Sequence, residues 1–147
     1  MVLGLFVLRH IESQNQYEEN TQRVSALLES LSAPVAFSLV QGRVPDLDNL
    51  MDQLQERKDA FYLNHVVLFD HQGLLLGETS KLDTKATLPP RFIKDAVSAT
   101  HALVKFNPTR KPYRISMPVQ TGIRWATLIA TLDTLSIEQD ISRPTQP

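Results

Sequence analysis

The residues with the richest chemistry lie in one basic segment, Lys105 to Arg114, of a chain of 147 residues. The segment reads KFNPTRKPYR and holds four cations, two prolines that stiffen the loop, and the aromatic residues Phe106 and Tyr113. Guanidinium and ammonium groups bind carboxylates and phosphates through charge-assisted hydrogen bonds. The segment therefore predicts an anion-binding loop. A basic hairpin exposed to water, or facing anionic lipid head groups, would have the same pattern.

Catalytic and metal-binding spacings are missing from the sequence. Acidic pairs such as Asp46/Asp48 and Glu18/Glu19 fall on predicted helix surfaces, and there is neither a G-x-S-x-G elbow nor a glycine-rich phosphate loop. The absence of cysteine excludes disulfides, thiolate zinc sites, iron–sulfur clusters and cysteine nucleophiles. We therefore expect a binding or interaction protein without a cofactor, not an enzyme. The four histidines also lack metal-site spacing: His10, His65, His71 and His101.

Composition indicates one compact domain, because 147 residues that are 42% hydrophobic can bury a core without disulfides. The net charge of −1 hides an asymmetry: residues 1–80 hold 5 Lys/Arg and 11 Asp/Glu, whereas residues 81–125 hold 9 Lys/Arg and two Asp. The basic half would attract a small anion, lipid head groups or nucleic acid, and a solvated face explains the same bias. The basic segment lacks the interleaved aromatics of single-strand binders, so no nucleic-acid partner is expected.

The first eight residues, MVLGLFVL, are wholly apolar and end at Arg9. A membrane-spanning helix needs about 20 apolar residues, and the features of a secretory signal are absent. Residues 1–10 are therefore either the remnant of a transmembrane helix or a buried N-terminal segment. We favour the remnant, because the dozen polar residues that follow give a buried strand no partner.

A helical pattern follows from Ile11 to Leu39, with apolar residues on one stripe and charged residues on the other side. Pro34 predicts a kink or break near residues 30 to 34. The stripe comprises Tyr17, Val24, Leu28, Leu31 and Val35.

Three members of that stripe, Tyr17, Val24 and Leu31, are spaced by seven residues. This spacing suits a helix pair in a homodimer. From Val24 onward the stripe equally suits a helix that covers a sheet within one chain. Both interpretations stay open at this point.

Two further elements fill the centre of the chain. A second helix is predicted from Asp46, as N-cap, to about Ala60. A hairpin is predicted over residues 66–80, where Asp70 starts the turn by bonding its own backbone and Gly73 supplies the positive φ.

The rest of the chain predicts a short helix started by Pro89 or Pro90, three strands, and a closing helix from about Asp133. The last strand is apolar on both faces and should be central, whereas Pro118 predicts a bulge or partial edge in the strand before it. This order fits an α+β fold: a five-stranded antiparallel sheet, a long N-terminal helix, and further helices packed mainly on one face. The three strands are His101 to Phe106, Tyr113 to Val119, and Arg124 to Leu132.

The hairpin and this layout resemble extracellular PAS-like (Cache) sensor modules, and the chain most resembles the bacterial virulence-factor haemolysin (SMP) family of inner-membrane proteins. The resemblance covers about residues 17–140 and rests on LMDQL at 50–54, FDHQG at 69–73 with LLGET at 75–79, and WATLIATLDT at 125–134. Periplasmic input domains of histidine kinases, diguanylate cyclases and chemoreceptors share this pattern. We expect residues 11–143 to form a single periplasmic domain of a longer protein, with residues 144–147 as a tail.

The resemblance also implies where a ligand would bind. In PAS-like sensors the ligand cavity lies between the sheet and such loops. Arg114, with Lys105 and Arg124 on neighbouring strands, is then placed to bind a carboxylate or phosphate. Phe106 and Tyr113 would form aromatic walls.

The implied function is sensory signal transduction by the periplasmic domain of a Gram-negative inner-membrane protein. Ligand binding would shift membrane-proximal helices, provided that the two helix arrangements differ in ligand affinity. The alternative is an unliganded module that supports an envelope protein by dimerising through the N-terminal helix.

Overall fold

One antiparallel sheet organises the molecule, with strands in the spatial order β2-β1-β5-β4-β3. The computed structural model describes residues 2–79, 88–121 and 123–142, and the side chains of residues 14–79, 88–120 and 126–141. The predicted α+β, PAS-like architecture is confirmed, and β5 is central, as its two apolar faces require. The elements are α1 (Val2–Ser30), α2 (Ser32–Gln41), α3 (Val44–Glu56), β1 (Leu63–Asp70), β2 (Leu75–Glu78), α4 (Pro90–Ser98), β3 (Leu103–Phe106), β4 (Pro112–Thr121), β5 (Ile123–Leu132) and α5 (Thr134–Ser142).

The predicted break in the long helix is confirmed. Since α1 ends at Ser30 and α2 begins at Ser32, Pro34 lies in the first turn of α2. A proline is tolerated there, because the first N–H groups of a helix have no partner within it. The Leu31 carbonyl accepts the N–H of Val35 at 3.0 Å, which continues the chain into α2.

Helices α1, α2 and α3 cover one face of the sheet and bury the larger core with β1, β4 and β5. Tyr17 and Val24 are buried within the chain, and Leu31 is half-buried against the same core. From Val24 onward, the seven-residue spacing therefore coincides with packing of the helices on the sheet, the alternative that the sequence left open. A homodimer through the N-terminal helix stays a prediction. The core residues of these helices include Val24, Leu28, Val35, Leu47, Met51 and Leu54.

Helix α4 covers the opposite face. It begins at Pro90, as predicted, and its Phe92 and Ala96 are buried against Val67, Phe69 and Ile129 of the sheet. The sheet is therefore covered on both sides, by three helices on one face and by α4 on the other.

The predicted start and end of the second helix were wrong. Helix α3 begins at Val44 and ends at Glu56, with Arg43 as its N-cap residue and no side-chain cap. Pro45 fits the first turn, so the helix begins before Asp46. The Asp46 carboxylate instead lies 3.3 Å from Nε of Arg43.

The hairpin between β1 and β2 is confirmed, including its turn chemistry. Oδ1 of Asp70 accepts the backbone N–H of Gln72 at 2.9 Å and of Leu74 at 2.8 Å. Gly73 has a φ of 85°, a conformation that costs glycine little. Both residues therefore act as the pattern predicted.

Strand β3 begins at Leu103, two residues later than predicted, and its pairing with β4 stops at Leu103 opposite Ser116. Pro118 therefore lies beyond the described pairing of β4 with β3. Its described strand neighbour is Thr127 of β5, so the partial edge is confirmed. Asp133 closes the fold by capping α5: its carboxylate accepts the Ser136 N–H at 3.1 Å and the Ser136 hydroxyl at 2.7 Å.

Helix α1 begins at Val2, so it includes most of the apolar N-terminal segment. Because the side chains of residues 1–13 lie outside the described part, the choice between a membrane remnant and a buried segment is not addressed, nor is the tail at 144–147. Within the described residues, the helical stretch Gln14–Gln41 is long and apolar enough to cross a membrane by composition. Its Val24 and Leu28 are nevertheless packed in the core of the domain.

Candidate functional site

A row of side chains crosses the sheet on the face that α4 covers. His65 pairs with Thr131, Thr131 with Arg114, and Arg114 with Lys105. Residues directly opposite one another on antiparallel strands share a face. The row therefore runs across β1, β5, β4 and β3 and brings two cations to its end on β4 and β3.

Lys105 and Arg114 form the cationic centre of this row. Their Cβ atoms lie about 5 Å apart in such a pair, and like charges placed directly opposite one another destabilise a sheet. The Phe92 ring on α4 lies close to both: its centroid is 5.9 Å from Nζ of Lys105 and 5.7 Å from Cζ of Arg114. In the described part of the chain, neither cation is within salt-bridge distance of a carboxylate.

Two buried polar atoms in this region have no hydrogen-bond partner among the described residues: Nε of Arg114 and the hydroxyl oxygen of Ser116. Ser116 is 1% exposed, and it lies two residues from Arg114 on the same strand, so both face α4. Buried polar groups in proteins nearly always have a partner. The described residues therefore leave one donor on Arg114 and the hydroxyl of Ser116 without a partner on this face.

Tyr113 joins Arg114 because of a bulge. The alternation in the sequence predicts Tyr113 on the face of Ile115, away from Arg114. The register shifts, however, between Lys105, opposite Arg114, and Phe106, opposite Pro112, which leaves Tyr113 as an extra residue in β4. The Tyr113 hydroxyl accepts a hydrogen bond from Nη1 of Arg114 at 3.3 Å, and the guanidinium carbon lies 4.8 Å from the ring centroid.

Two of the five predicted site residues lie elsewhere. Phe106 follows Lys105 on the strand and faces α1 on the other side of the sheet, where it lines a different cleft with Tyr17. The backbone of Arg124 pairs with Gln120, six residues from Arg114 along β4, which is about 20 Å at the rise of a strand. The Arg124 side chain lies outside the described residues. The structure thus brings together Lys105, Tyr113 and Arg114.

The other end of the row contains a hydrogen-bonding contact between His65 and Glu78 that sequence reasoning missed. Nε2 of His65 lies 3.2 Å from a carboxylate oxygen of Glu78, and the side chains are 12% and 29% exposed. Phe92 and Ser116 were also not recognised as neighbours of Arg114, although the parity of Ser116 with Arg114 in the strand was a usable signal. Within the described ranges, no three His, Asp or Glu residues come together as a metal site.

The fold is similar to that of two solved domains of histidine kinases, one described as extracellular and one as a sensor domain. The extracellular domain of the putative histidine kinase vpHK1S-Z8 aligns with a TM-score of 0.68 at 12% identity over 97% of this chain. The sensor domain of the V. cholerae histidine kinase DctB aligns with a TM-score of 0.56 at 10% identity over 99% of this chain. In both cases this chain spans 62% of the other structure's length. At these identities the likeness establishes the fold.

No protein-family model matches the chain, and no curated protein matches it either. The narrower resemblance to the haemolysin (SMP) family therefore has no support from these comparisons.

Proposed function

We propose that this chain is the extracytoplasmic sensory domain of a bacterial inner-membrane protein, and that it binds a small anion between the sheet and α4. The observation that carries the proposal is the pairing of Lys105 directly opposite Arg114, with Nε of Arg114 buried and unpartnered within the described residues. The likeness in fold to two histidine-kinase sensor domains supports the sensory role.

An anionic ligand would resolve both energetic costs of this site. A carboxylate or phosphate beside Arg114 accepts the Nε–H and offsets the repulsion between the two cations. The Ser116 hydroxyl lies on the same face and is available as a further donor. The Phe92 ring and the bulged Tyr113 lie against the guanidinium and reduce its contact with water, which strengthens hydrogen bonds to a charged ligand. The site acts by binding; no chemical step is assigned to it.

A ligand held there contacts the sheet on one side and α4 on the other. It would favour the arrangement in which α4 lies closest to β3 and β4, and so shift the population of domain conformations. Under this proposal the domain lies in the periplasm of a Gram-negative bacterium, and the conformational shift is transmitted to the helices that lead toward the membrane. The measurable requirement is that ligand affinity differs between the two arrangements.

Thermal unfolding with a panel of anions tests the proposal. Acetate, succinate, inorganic phosphate and citrate are compared at matched ionic strength for the unaltered chain, for Arg114→Gln and for Arg57→Gln. Arg57 is exposed at the end of α3, so Arg57→Gln makes the same change of charge away from the site. A ligand at about 100 times its dissociation constant adds roughly 2.7 kcal/mol of stability.

We expect at least one anion to raise the unfolding temperature of the unaltered chain and of Arg57→Gln, but not of Arg114→Gln. A rise that survives Arg114→Gln would show that the anion binds elsewhere. If no anion raises the unfolding temperature, the result favours the unliganded interaction module instead.

A further inference from the structure

A cleft of about 330 Å³ lies between α1 and the β3–β4 hairpin, on the face of the sheet opposite Arg114. We propose that this cleft is a second binding site, for a small monocarboxylate with an aromatic or branched apolar body. This inference goes beyond the proposed function and does not rest on it. The side chains that carry it are Tyr17 and Glu18 on α1 and Val104, Phe106, Arg110 and Lys111 on the hairpin.

The wall on β3 is apolar and open. Phe106 is 56% exposed and Val104 is 37% exposed, and the two alternate with Lys105, so both face the cleft. Across the cleft, Tyr17 lines the opposite side but is almost completely buried, so Phe106 and Val104 provide the accessible apolar surface. Ligand sites are concave and mostly apolar, with a few placed polar groups. This wall therefore suits the ring or branched chain of a ligand.

The loop at the end of the hairpin presents two cations from a fixed backbone. Oδ1 of Asn107 accepts the N–H groups of Thr109 at 3.1 Å and of Lys111 at 2.8 Å, and Arg110 is held at a φ of 63°. A non-glycine residue at positive φ is costly, and such strain is concentrated at ligand sites. A loop held in this way loses little entropy when a ligand binds to it.

The charged residues that line the cleft indicate which polar group the ligand carries. Arg110 and Lys111 line the cleft, and Nζ of Lys111 lies 4.8 Å from the centroid of the Tyr17 ring. Glu18 is the one acid among the described lining residues. The site is therefore net positive, and the Arg110 guanidinium suits a carboxylate. Glu18 disfavours a second negative charge, which separates this ligand from a dicarboxylate.

Size limits the apolar body. A volume of about 330 Å³ is near the lower end of the range for small-molecule sites. One ring or one branched chain, with a single carboxylate, is what such a cleft accommodates. Phenylacetate has this composition, whereas 2-phenylethanol keeps the ring and lacks the charge.

Calorimetric titration of the folded chain with phenylacetate tests the inference. The variants are Phe106→Ser, which removes the wall, and Arg110→Asn, which removes the charge while keeping a residue that tolerates positive φ. The matched controls are Phe37→Ser, since Phe37 is 57% exposed on α2 away from the cleft, and Arg57→Asn, which removes an exposed charge at the end of α3. Arg114→Gln is measured as well, to detect binding beneath α4. All variants are also checked for an unchanged far-UV spectrum.

We expect saturable binding of phenylacetate that weakens roughly tenfold or more in Phe106→Ser and in Arg110→Asn and is unchanged in both controls. The unaltered chain should bind 2-phenylethanol at least roughly tenfold more weakly than phenylacetate. The absence of saturable binding up to roughly 10 mM overturns the inference. Loss of phenylacetate binding in Arg114→Gln also overturns it, because that result places the ligand beneath α4 and supports the proposed function instead.

Discussion

Asp70 determines the geometry of the β1–β2 turn through one oxygen atom. Its Oδ1 accepts two backbone N–H groups, those of Gln72 and Leu74, while its own carbonyl accepts the N–H of Gly73 at 3.1 Å. Because the turn is exposed to water, these hydrogen bonds compete with solvation and contribute moderately. The register of the hairpin nevertheless depends on them, since the turn fixes which residues of β1 and β2 pair.

We expect Asp70→Ala to lower the free energy of unfolding by about 1–2 kcal/mol, because two backbone donors lose their acceptor. Asp70→Asn keeps an acceptor oxygen at the same position and should lose less than about half of that. Urea unfolding monitored by circular dichroism measures both. Equal losses in the two variants would mean that the charge of Asp70, and not its hydrogen-bond geometry, stabilises the turn.

Single residues also mark the limit of prediction from sequence. The roles of Asp70 and Gly73 are local, so a four-residue pattern was sufficient to predict them. The side on which Tyr113 lies depends on a bulge created by the pairing of β3 with β4, and no local pattern specifies that register. Phe106 and Lys105 likewise looked like one site because they are adjacent, although adjacent strand residues face opposite sides.

Tyr17 joins helices α1 and α5. Its hydroxyl donates a hydrogen bond to Oε1 of Glu138 on α5 at 2.7 Å and lies 3.3 Å from the carbonyl oxygen of Thr134. Burial, followed by the hydrogen bond and the charge of Glu138, raises the pKa of the Tyr17 phenol above its ordinary value. The contact between α1 and α5 therefore depends on a neutral phenol.

This pKa shift predicts a pH dependence of stability. Below about pH 10 the phenol is protonated in both the folded and unfolded states, so the interaction contributes fully. Above that pH the unfolded chain loses the proton while the folded chain keeps it, so the free energy of unfolding falls by up to about 1.4 kcal/mol per pH unit. Tyr17→Phe should fall less steeply across the same range. Urea midpoints measured between pH 9 and pH 11.5 test this, and parallel profiles would contradict it.

At the scale of elements, prediction succeeded where a physical rule is local and stayed open where two arrangements satisfy one pattern. Pro34 specified a break because a proline inside a helix lacks a hydrogen bond wherever the helix lies. The two apolar faces of β5 specified a central strand for the same reason. A seven-residue spacing, in contrast, marks one helix face without saying whether a second chain or this chain's own sheet covers it.

The described residues form one sheet, and the larger core packed on it includes the middle of α1. Val24 has no exposed surface in the single chain, whereas Val40 on α2 is 60% exposed. The two valines therefore allow the same substitution to be compared inside and outside the core.

We expect Val24→Ala to lower the free energy of unfolding by about 2 kcal/mol, and Val40→Ala to change it by less than about 0.5 kcal/mol. The destabilisation by Val24→Ala should be the same over a roughly hundredfold range of protein concentration, because Val24 is buried within one chain. A destabilisation that changes with concentration would indicate that Val24 contributes to a contact between two chains after all.

The pairing of β1 with β5 has a consequence for the order in which the chain folds. These two central strands pair Leu63 with Leu132 and Asp70 with Ala126. Contacts between residues so far apart in sequence form late, because a long loop must close before they contribute. The β4–β5 hairpin is local and is available as a nucleus, whereas α1, α2 and α3 lack a complete surface to pack on until β5 exists. We therefore expect that, during synthesis, the helices of the first half of the protein pack into the core only after β5 has been made.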